Sequence, residues 1–419
     1  MTGLAAVGVV IASVAWAEAP DDGPPPTAES VQVGGYAQVD YLRRQISQDE
    51  LSDGTGEPLN EDGFSVRRAR VILGKEWKHV GVGSITELFG EGGVVRPVGL
   101  DVHAQIPSQT EDEPPVVQVR AGLFPVPFGF ETYEQTDDAR FFGERSLVAH
   151  SLVPGRFDLG AALSGRVWAI DWIVAVQNGE PLESGPYAYA DPNAAKDVCA
   201  RLRVSGDLIG SVRSAVGTSV LQGQGFSAGT PPTKDSFEWQ DLNEDGLVLQ
   251  SELIPIPGAA GRPSENFRRW GLGADVQVWA EVPKLGELLV YGEFAVAVNL
   301  DRAVAPADPV LLGRDQRSVG FIVAATQEIT KAVTAGLRYD RYAPNLDALE
   351  LFDGVTVVSR RPFRTVTAGV ALNHALSERA SAKLLTEGVF EQNSLGRDNR
   401  GRPAPIDNDT LRVRLQVIL

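Results

Sequence analysis

Cysteine and histidine are scarce in this 419-residue sequence, which contains one Cys and four His. The single cysteine, Cys199, cannot form an internal disulfide, and the spacing of the histidines fits neither a metal cluster nor a nucleophile with its base. No stretch of about 18 apolar residues follows the N-terminal segment, so no transmembrane helix is predicted. Basic residues number 38 against 55 acidic ones, which gives a net charge of −17. That balance excludes nucleic acid as a partner, and the absence of a motif for hydrolytic catalysis argues against an enzyme.

Short segments in which apolar and polar residues alternate fill the chain from Val31 to its end. In 411–419, Leu or Val occupies every second position, with Arg412, Arg414 and Gln416 between them. In 198–204, Cys199 falls on the polar face together with arginines. A period of two residues is typical of β-strands with one apolar and one polar face. An antiparallel sheet around a soluble core would alternate in the same way, so the pattern alone does not decide the fold.

The lengths of the connections favour a membrane barrel. The predicted strands cover 31–46, 63–77, 80–90, 98–107, 115–124, 159–169, 170–179, 197–208, 212–224, 266–280, 286–300, 317–329, 333–343, 363–376, 380–393 and 408–419. Most odd-numbered connections are long and most even-numbered ones are tight turns, although the even-numbered connection at 107–114 is longer than the other turns. Outer-membrane barrels alternate in this way, whereas both ends of a β-sandwich face the same solvent. The sequence therefore predicts an all-β fold, a transmembrane antiparallel β-barrel of about 16 strands over 31–419.

The N-terminal residues resemble an export signal. A short apolar core is followed by small-x-small sites for signal peptidase at Ala15-Trp16-Ala17 or Ala17-Glu18-Ala19. We therefore predict a signal peptide over 1–19 and a Pro-rich linker over 20–30. No Lys or Arg precedes Arg43, so the usual positive n-region is missing, and a buried core segment is the alternative interpretation.

Two stretches show a specific resemblance. Gly63-Phe64-Ser65-Val66-Arg67-Arg68-Ala69-Arg70-Val71 resembles the RRAR-type second strand of the phosphate-selective porin O and P family. Arg120-Ala121-Gly122-Leu123-Phe124-Pro125-Val126-Pro127-Phe128-Gly129-Phe130-Glu131, followed by Phe141-Phe142-Gly143-Glu144-Arg145-Ser146, resembles that family's G-x-F-x-x-P-F segment and the Phe-x-Glu-Arg-Ser motif that ends the next loop. The resemblance implies a trimeric porin in the outer membrane of a Gram-negative bacterium. It also implies that the third external loop, here 125–158, folds inward and constricts the pore.

The predicted constriction loop is acidic. Segment 125–158 has no lysine, three arginines and six acids, and Arg156 and Asp158 lie near its end. If the apolar face sets the register, many wall arginines point inward, including Arg338, Arg412 and Arg414. The candidate pore-lining residues are Arg68, Arg70, Arg120, Arg201, Arg203, Arg213 and Arg269 on the wall, and Glu131, Glu134, Asp137, Asp138, Arg140 and Arg145 on the loop.

The opposed charges allow two interpretations. Acids facing arginines would create a transverse field that orders dipolar solutes without strongly favouring phosphate. Alternatively, the arginines pair with loop carboxylates and hold the loop inside the barrel. Both interpretations predict only weak ionic selectivity, because a phosphate dianion meets loop acids at the narrowest point.

A calcium-loop motif lies in the long predicted external loop 225–265. Residues 241–252 fit the pattern D-x-[DN]-x-[DN]-G-x₅-E, with Gly246 at the bend. The predicted Ca²⁺ ligands are Asp241, Asn243, Asp245, the Leu247 carbonyl and Glu252. Prolines on both sides leave no room for long flanking helices, so we expect weak affinity, about 10⁻⁴–10⁻³ M. An acidic loop can also match this pattern by chance.

Two functions therefore remain open. One is a passive diffusion channel for small hydrophilic solutes or ions, and the other is a barrel whose calcium-stabilised loop serves adhesion or partner docking. Single-channel conductance would separate them. The expected partners are outer-membrane lipid and lipopolysaccharide, two further copies in a homotrimer, and the permeating solutes. The acids of 47–62 could bridge divalent cations to lipopolysaccharide, or form only a solvated surface.

Overall fold

A computed structural model describes residues 31–45, 62–90, 95–108, 114–183, 191–240, 246–352, 355–358, 361–397 and 403–419. The sixteen barrel strands are β1 (Gln32–Arg44), β2 (Gly63–Glu76), β3 (Val80–Phe89), β4 (Arg96–Ile106), β5 (Val117–Pro125), β6 (Phe157–Val167), β7 (Ile170–Gln177), β8 (Asp197–Ile209), β9 (Val212–Ser227), β12 (Glu265–Glu281), β13 (Glu287–Val298), β14 (Arg317–Thr330), β15 (Val333–Ala343), β18 (Phe363–Ala375), β19 (Ser381–Arg397) and β21 (Thr410–Ile418). The predicted signal peptide and linker lie outside these residues.

The strands form one closed antiparallel barrel. Each pairs with the next along the chain, and the last, β21, pairs with both β19 and β1. At this seam Tyr36 lies opposite Ile418, and Arg44 lies opposite Thr410. The predicted barrel of 16 strands is confirmed, and the pairing of β21 with β1 closes it.

Two short hairpins and one extra strand lie at the end of the barrel that carries the long connections, which we call the long-connection end. A hairpin of β10 (Ser236–Trp239) and β11 (Leu253–Ile256) projects between β9 and β12. A second hairpin of β16 (Leu349–Phe352) and β17 (Val355–Val358) precedes β18, and β20 (Pro403–Asp407) continues the pairing of β19 beyond β21. The helices are α1 (Phe130–Tyr133), α2 (Leu147–Leu152) and α3 (Pro309–Leu312). Among the described residues, no helix is long and apolar enough to cross a membrane.

The alternation in the sequence sorts side chains between two environments. On β8, Arg201 and Arg203 are buried inside the barrel, while Val198, Leu202 and Val204 stand exposed on the outer surface. A closed barrel satisfies its backbone hydrogen bonds internally, and its apolar outer face suits lipid. The buried apolar residues therefore lie inside the lumen, around the segment between β5 and β6.

The strands end a few residues inside the predicted bounds of two loops. The inward loop covers 126–156, not 125–158, because Pro125 ends β5 while Phe157 and Asp158 already pair in β6. The long loop covers 228–264, not 225–265, since β9 extends to Ser227 and β12 begins at Glu265. Ser227 and Glu265 are polar, so a count of apolar positions misses the ends of β9 and β12.

Candidate functional site: the inward-folded loop

The segment 126–156 folds into the lumen and is internally braced. Glu131 Oε2 accepts a hydrogen bond from the Ser146 backbone N–H at 2.7 Å, and this contact ties α1 to the start of α2. The Arg156 guanidinium donates to the Thr132 and Tyr133 carbonyls at 2.7 and 3.1 Å. Arg145 donates to the Val153 and Pro154 carbonyls. These two arginines thus satisfy loop carbonyls instead of meeting a carboxylate.

One side of the loop is apolar and packs against the wall formed by β8, β9 and β12–β15. The cluster contains Val126, Phe128, Phe130, Phe142, Val148, Leu152 and Val153 from the loop, and Cys199, Leu221, Tyr291, Ala295, Ala297, Leu300, Ile322, Ala324 and Tyr342 from the wall and its rim. Glycines make room for it. A Cβ on Gly320 would lie 2.7 Å from Val148 Cγ2, and one on Gly273 would lie 3.2 Å from Phe128 Cζ. Cys199 faces the lumen as predicted, and its Sγ contacts the Pro127 carbonyl at 3.2 Å.

Asp137 reaches the opposite wall. Its carboxylate lies 2.7 Å from Arg70 Nη1, 3.6 Å from Arg68 Nε and 3.2 Å from Arg140 Nη1. Burial raises the pKa of Asp137, but Arg68, Arg70 and Arg140 outweigh it and hold the pKa well below its usual range. The carboxylate is therefore charged and pairs directly with β2.

Glu144 makes the equivalent contact with the last strand. Its oxygens lie 2.9 Å from Arg67 Nε and 2.9 Å from Arg414 Nη2, with Arg68 Nη2 at 3.8 Å. Burial opposes ionisation here too, yet Arg68, Arg67 and Arg414 keep the pKa of Glu144 well below its usual range. Asp137 and Glu144 together fasten the loop across the lumen.

Two glutamines connect the loop to the seam of the barrel. Gln38 on β1 donates to the Asp137 carbonyl at 3.0 Å and to Gln416 Oε1 at 2.7 Å. Gln416 on β21 donates to the Asp138 carbonyl at 2.8 Å. The loop backbone is thus hydrogen-bonded to both strands that close the barrel.

Two further predicted loop acids, Glu134 and Glu131, also meet wall groups, while Asp138 lines the cavity described below. Glu134 lies 2.5 Å from Arg201 Nη2 and 3.2 Å from Arg203 Nε. Glu131 accepts from the Tyr291 hydroxyl at 3.1 Å and lies 3.6 Å from Arg338. At these positions the loop acids pair directly with wall arginines. A transverse field would need an open gap between the opposite charges, and these pairs leave none.

The structure does not bring every predicted arginine to the loop. Arg269 pairs with Asp197 and Glu180 near the long-connection end. Arg213 lies at the other end, half-exposed beside Glu287 and the Trp279 ring. Arg145 lies within the loop itself, where burial and nearby positive charge lower its pKa to about 10.

Inward-facing carboxylates of the wall were missing from the sequence-based set. Arg201, which already pairs with Glu134, also pairs with Asp275, and its Nη1 lies 2.5 Å from Asp275 Oδ2. Arg414 Nε lies 2.6 Å from Asp40 Oδ1. Glu387 forms an ion pair with Arg412 at 2.5 Å. Glu293 accepts hydrogen bonds from the Phe130 and Glu131 backbone N–H groups at 2.9 and 3.0 Å. The signal was available, because each of these acids occupies a polar position of its alternating strand.

A cavity remains between the loop and the wall formed by β1–β5. Its volume is about 550 Å³, counting the space at its open side. Charged groups of both signs line it, and the set comprises Arg70, Asp101, Arg120, Asp137, Asp138 and Arg156. Arg120 lies 3.5 Å from Asp101, so this part of the wall is also paired.

The structure describes two of the five predicted calcium ligands, Leu247 and Glu252. Asp241, Asn243 and Asp245 lie outside the described residues. Leu247 is exposed, whereas Glu252 is buried and accepts from Trp239 Nε1 at 3.2 Å and from the Leu249 N–H at 3.3 Å. Gly246 has a φ of 72°, a conformation that favours glycine.

Solved structures share this architecture. The outer-membrane channel DcaP of Acinetobacter baumannii aligns over 93% of this chain and 97% of its own, with 10% identity and a TM-score of 0.52. The anion-selective porin from Comamonas acidovorans covers 93% and 99%, with 10% identity and a TM-score of 0.52. The trimer form of OmpT from Vibrio cholerae covers 93% and 99%, with 11% identity and a TM-score of 0.50. No protein-family model and no curated protein sequence matches the chain.

Fold and surface together define the class. The chain is a transmembrane antiparallel β-barrel with the fold of outer-membrane porins. Its closed sheet and apolar exterior place it in the outer membrane of a Gram-negative bacterium, where barrels of this kind occur.

Proposed function

We propose that this chain is a passive diffusion channel for small hydrophilic solutes or ions. The cavity beside the inward loop carries the proposal, because it is an open space between the loop and the wall formed by β1–β5. Most of the surface that the cavity exposes is apolar, and residues such as Ile72 and Leu123 limit its width. The charged side chains in its lining, such as Arg70 and Asp137, would replace part of the hydration of a passing solute. The motifs resembling the phosphate-selective porin O and P family support the same function, without fixing the solute.

Weak selectivity follows from the pairing of charges along this path. Asp137 and Glu144 face arginines at ion-pair distance, so neither sign dominates the narrow region. A passing anion meets Arg70 and Arg120, but each already has a carboxylate neighbour. Displacing those neighbours costs energy, which argues against tight phosphate binding.

Conductance in planar bilayers tests the proposal. We expect discrete open steps and a reversal potential close to zero in a salt gradient, because both signs line the path. Phosphate in the micromolar range should leave chloride current unchanged. A sealed barrel would contradict the channel, and a strong anion preference would show that the wall arginines dominate.

We further propose a homotrimer embedded in outer-membrane lipid and lipopolysaccharide. The trimer form of the Vibrio cholerae neighbour supports the stoichiometry by analogy of fold. Cross-linking in detergent, with bands at one, two and three chains, measures it.

Calcium binding to the long external loop is a separate proposal. The bend at Gly246 and the buried Glu252 carboxylate support it, since both match the sixth and twelfth positions of a calcium loop. Phe237 and Trp239 on the adjoining hairpin stand 68% and 42% exposed, which favours partner docking as the second candidate function.

Calcium is expected to protect 228–264 from an external protease. Three carboxylates in one short segment repel each other until a divalent cation binds, so cleavage should be slower at millimolar calcium than with chelator. Asp241→Ala/Asp245→Ala should abolish the difference, and Glu238→Ala, an exposed acid outside the motif, should keep it. Equal cleavage of the unaltered chain in both conditions would reject the site. Conductance should not change with calcium, because the contacts that fasten 126–156 come from the wall strands and the seam.

A further inference from the structure

Two arginines stand directly opposite each other on the outer face of the barrel. Arg341 on β15 pairs in register with Arg364 on β18, and both side chains are exposed. Their neighbours Asp340 and Thr365 are buried in the lumen, so alternation directs the two arginines outward. Like charges directly opposite on one face of a sheet repel. The pair therefore destabilises the barrel as long as no anion lies between the two guanidinium groups.

Nothing on the described surface neutralises the pair. No carboxylate lies within ion-pair distance of either guanidinium among the described residues. In the same outward row, Phe321 lies opposite Arg341 on one side and Gln392 lies opposite Arg364 on the other. Asp347, in the connection that follows β15, already pairs with Arg317 at 2.5 Å.

The position along the strands fixes the environment. The next outward row of residues lies closer to the membrane centre than the two arginines. It contains Tyr339, Val366 and Phe390, which are all exposed on the outer face. The Tyr339 ring packs against Phe321 with centroids 5.8 Å apart. Aromatic residues form the girdle of such barrels at the membrane interface, so the arginines lie one step above it, at the level of the headgroups.

The long connections mark which interface this is. Arg341 and Arg364 flank the long connection 344–362, so they face the outer leaflet. The lipid of that leaflet is lipopolysaccharide, whose lipid A anchor carries phosphate groups at the headgroup level. A phosphate placed between two guanidinium groups accepts charge-assisted hydrogen bonds from both and cancels their repulsion.

We propose that Arg341 and Arg364 form a binding site for a phosphate group of lipid A. The proposal rests on the outer-membrane location and not on conduction, so it stands or falls independently of the channel. The acyl chains of the lipid would lie along Tyr339, Val366 and Phe390 below the site.

Binding of fluorescent lipid A to the full-length barrel in detergent micelles tests the site. Arg341→Gln/Arg364→Gln is expected to weaken binding of bisphosphorylated lipid A roughly 30-fold. Each arginine near a membrane surface contributes about fivefold to the affinity, and the two contributions multiply. Arg268→Gln is the matched control, because Arg268 also points outward at the same end of the barrel but lies opposite Gln224. That variant should bind as the unaltered chain does. Unchanged affinity in the double variant, or an equal loss in the control, would overturn the site.

Two further arms separate the ligand chemistry and the fold. Lipid A stripped of its phosphates should bind the unaltered chain as weakly as bisphosphorylated lipid A binds the double variant. Millimolar inorganic phosphate should displace little lipid A; complete displacement would indicate a site for free phosphate and overturn the lipid assignment. Arg341→Lys/Arg364→Lys should recover part of the affinity, and heat-resistant migration on gels should be the same for all variants.

Discussion

Replacing Asp137 and Glu144 together by alanine is expected to raise single-channel conductance several-fold. These carboxylates are the loop's ionic hold on β2 and β21. Removing Asp137 breaks its buried pair with Arg70, which costs about 3–5 kcal/mol, and removing the partly buried Glu144 adds to the loss. The apolar side of the loop remains packed against β8, β9 and β12–β15, whereas at the seam the hydrogen bonds of Gln38 and Gln416 remain without the ion pairs. The loop should therefore move away from the seam while staying inside the lumen. Conductance histograms in planar bilayers measure the change.

The matched control is Asp347→Ala, which removes an exposed ion pair with Arg317 outside the lumen. Exposed pairs contribute little, so conductance should stay at the unaltered level. If the double variant also keeps that level, the apolar packing and the remaining polar contacts of the loop are enough to hold it in place.

Acid should reproduce the double variant only under strongly acidic conditions. Because the pKa values of Asp137 and Glu144 are lowered, their contribution is complete above the ordinary values of 3.8 and 4.5, and is lost as the pH falls through the lower values in the folded protein. Conductance is therefore expected to be constant from neutral pH down to about pH 4. A rise already between pH 6 and pH 5 would contradict the ion-pair assignment.

A chain truncated at Thr410 is expected to assemble no heat-resistant barrel. The truncation removes β21, which pairs with β1 on one side and β19 on the other, and leaves both edges open in the membrane. Unpaired backbone groups in lipid cost several kcal/mol each, so the open form is not tolerated. Heat-modifiable migration on gels after outer-membrane extraction measures this.

The control replaces Leu411 and Leu415 by valine, which keeps the backbone pairing and the apolar outer stripe. That variant should migrate as the unaltered barrel does. A truncated chain with the same migration would show that β21 is dispensable for closure.

Strand number and placement could be predicted because one face meets lipid and the other meets polar groups. That contrast fades where the loop packs inside. In β13, Phe294 to Val298 are all apolar, since the wall there is covered by lipid outside and by Phe128 and Leu300 inside. Periodicity still located the strand but gave a weak indication of its inner face.

The partners of the charged residues could not be predicted. Alternation places Arg70 and Arg414 in the lumen, but the sequence does not show that Asp137 meets the first and Glu144 the second. Those contacts depend on how far the loop reaches across the barrel, and its apolar side decides that distance. The calcium motif shows the converse case, because spacing defines the ligand set while three of its members lie outside the described residues.

The hydrogen bonds at the seam couple closure of the barrel to the position of the inward loop. Gln38 and Gln416 are separated by 378 positions and meet only when the first and last strands come together. Both also donate to the backbone of the inward loop, so these bonds are complete only with the loop inside the lumen. With the loop outside, β1 and β21 would keep their backbone pairing but lack these inner contacts. The residues that close the wall are therefore also residues that hold the pore loop.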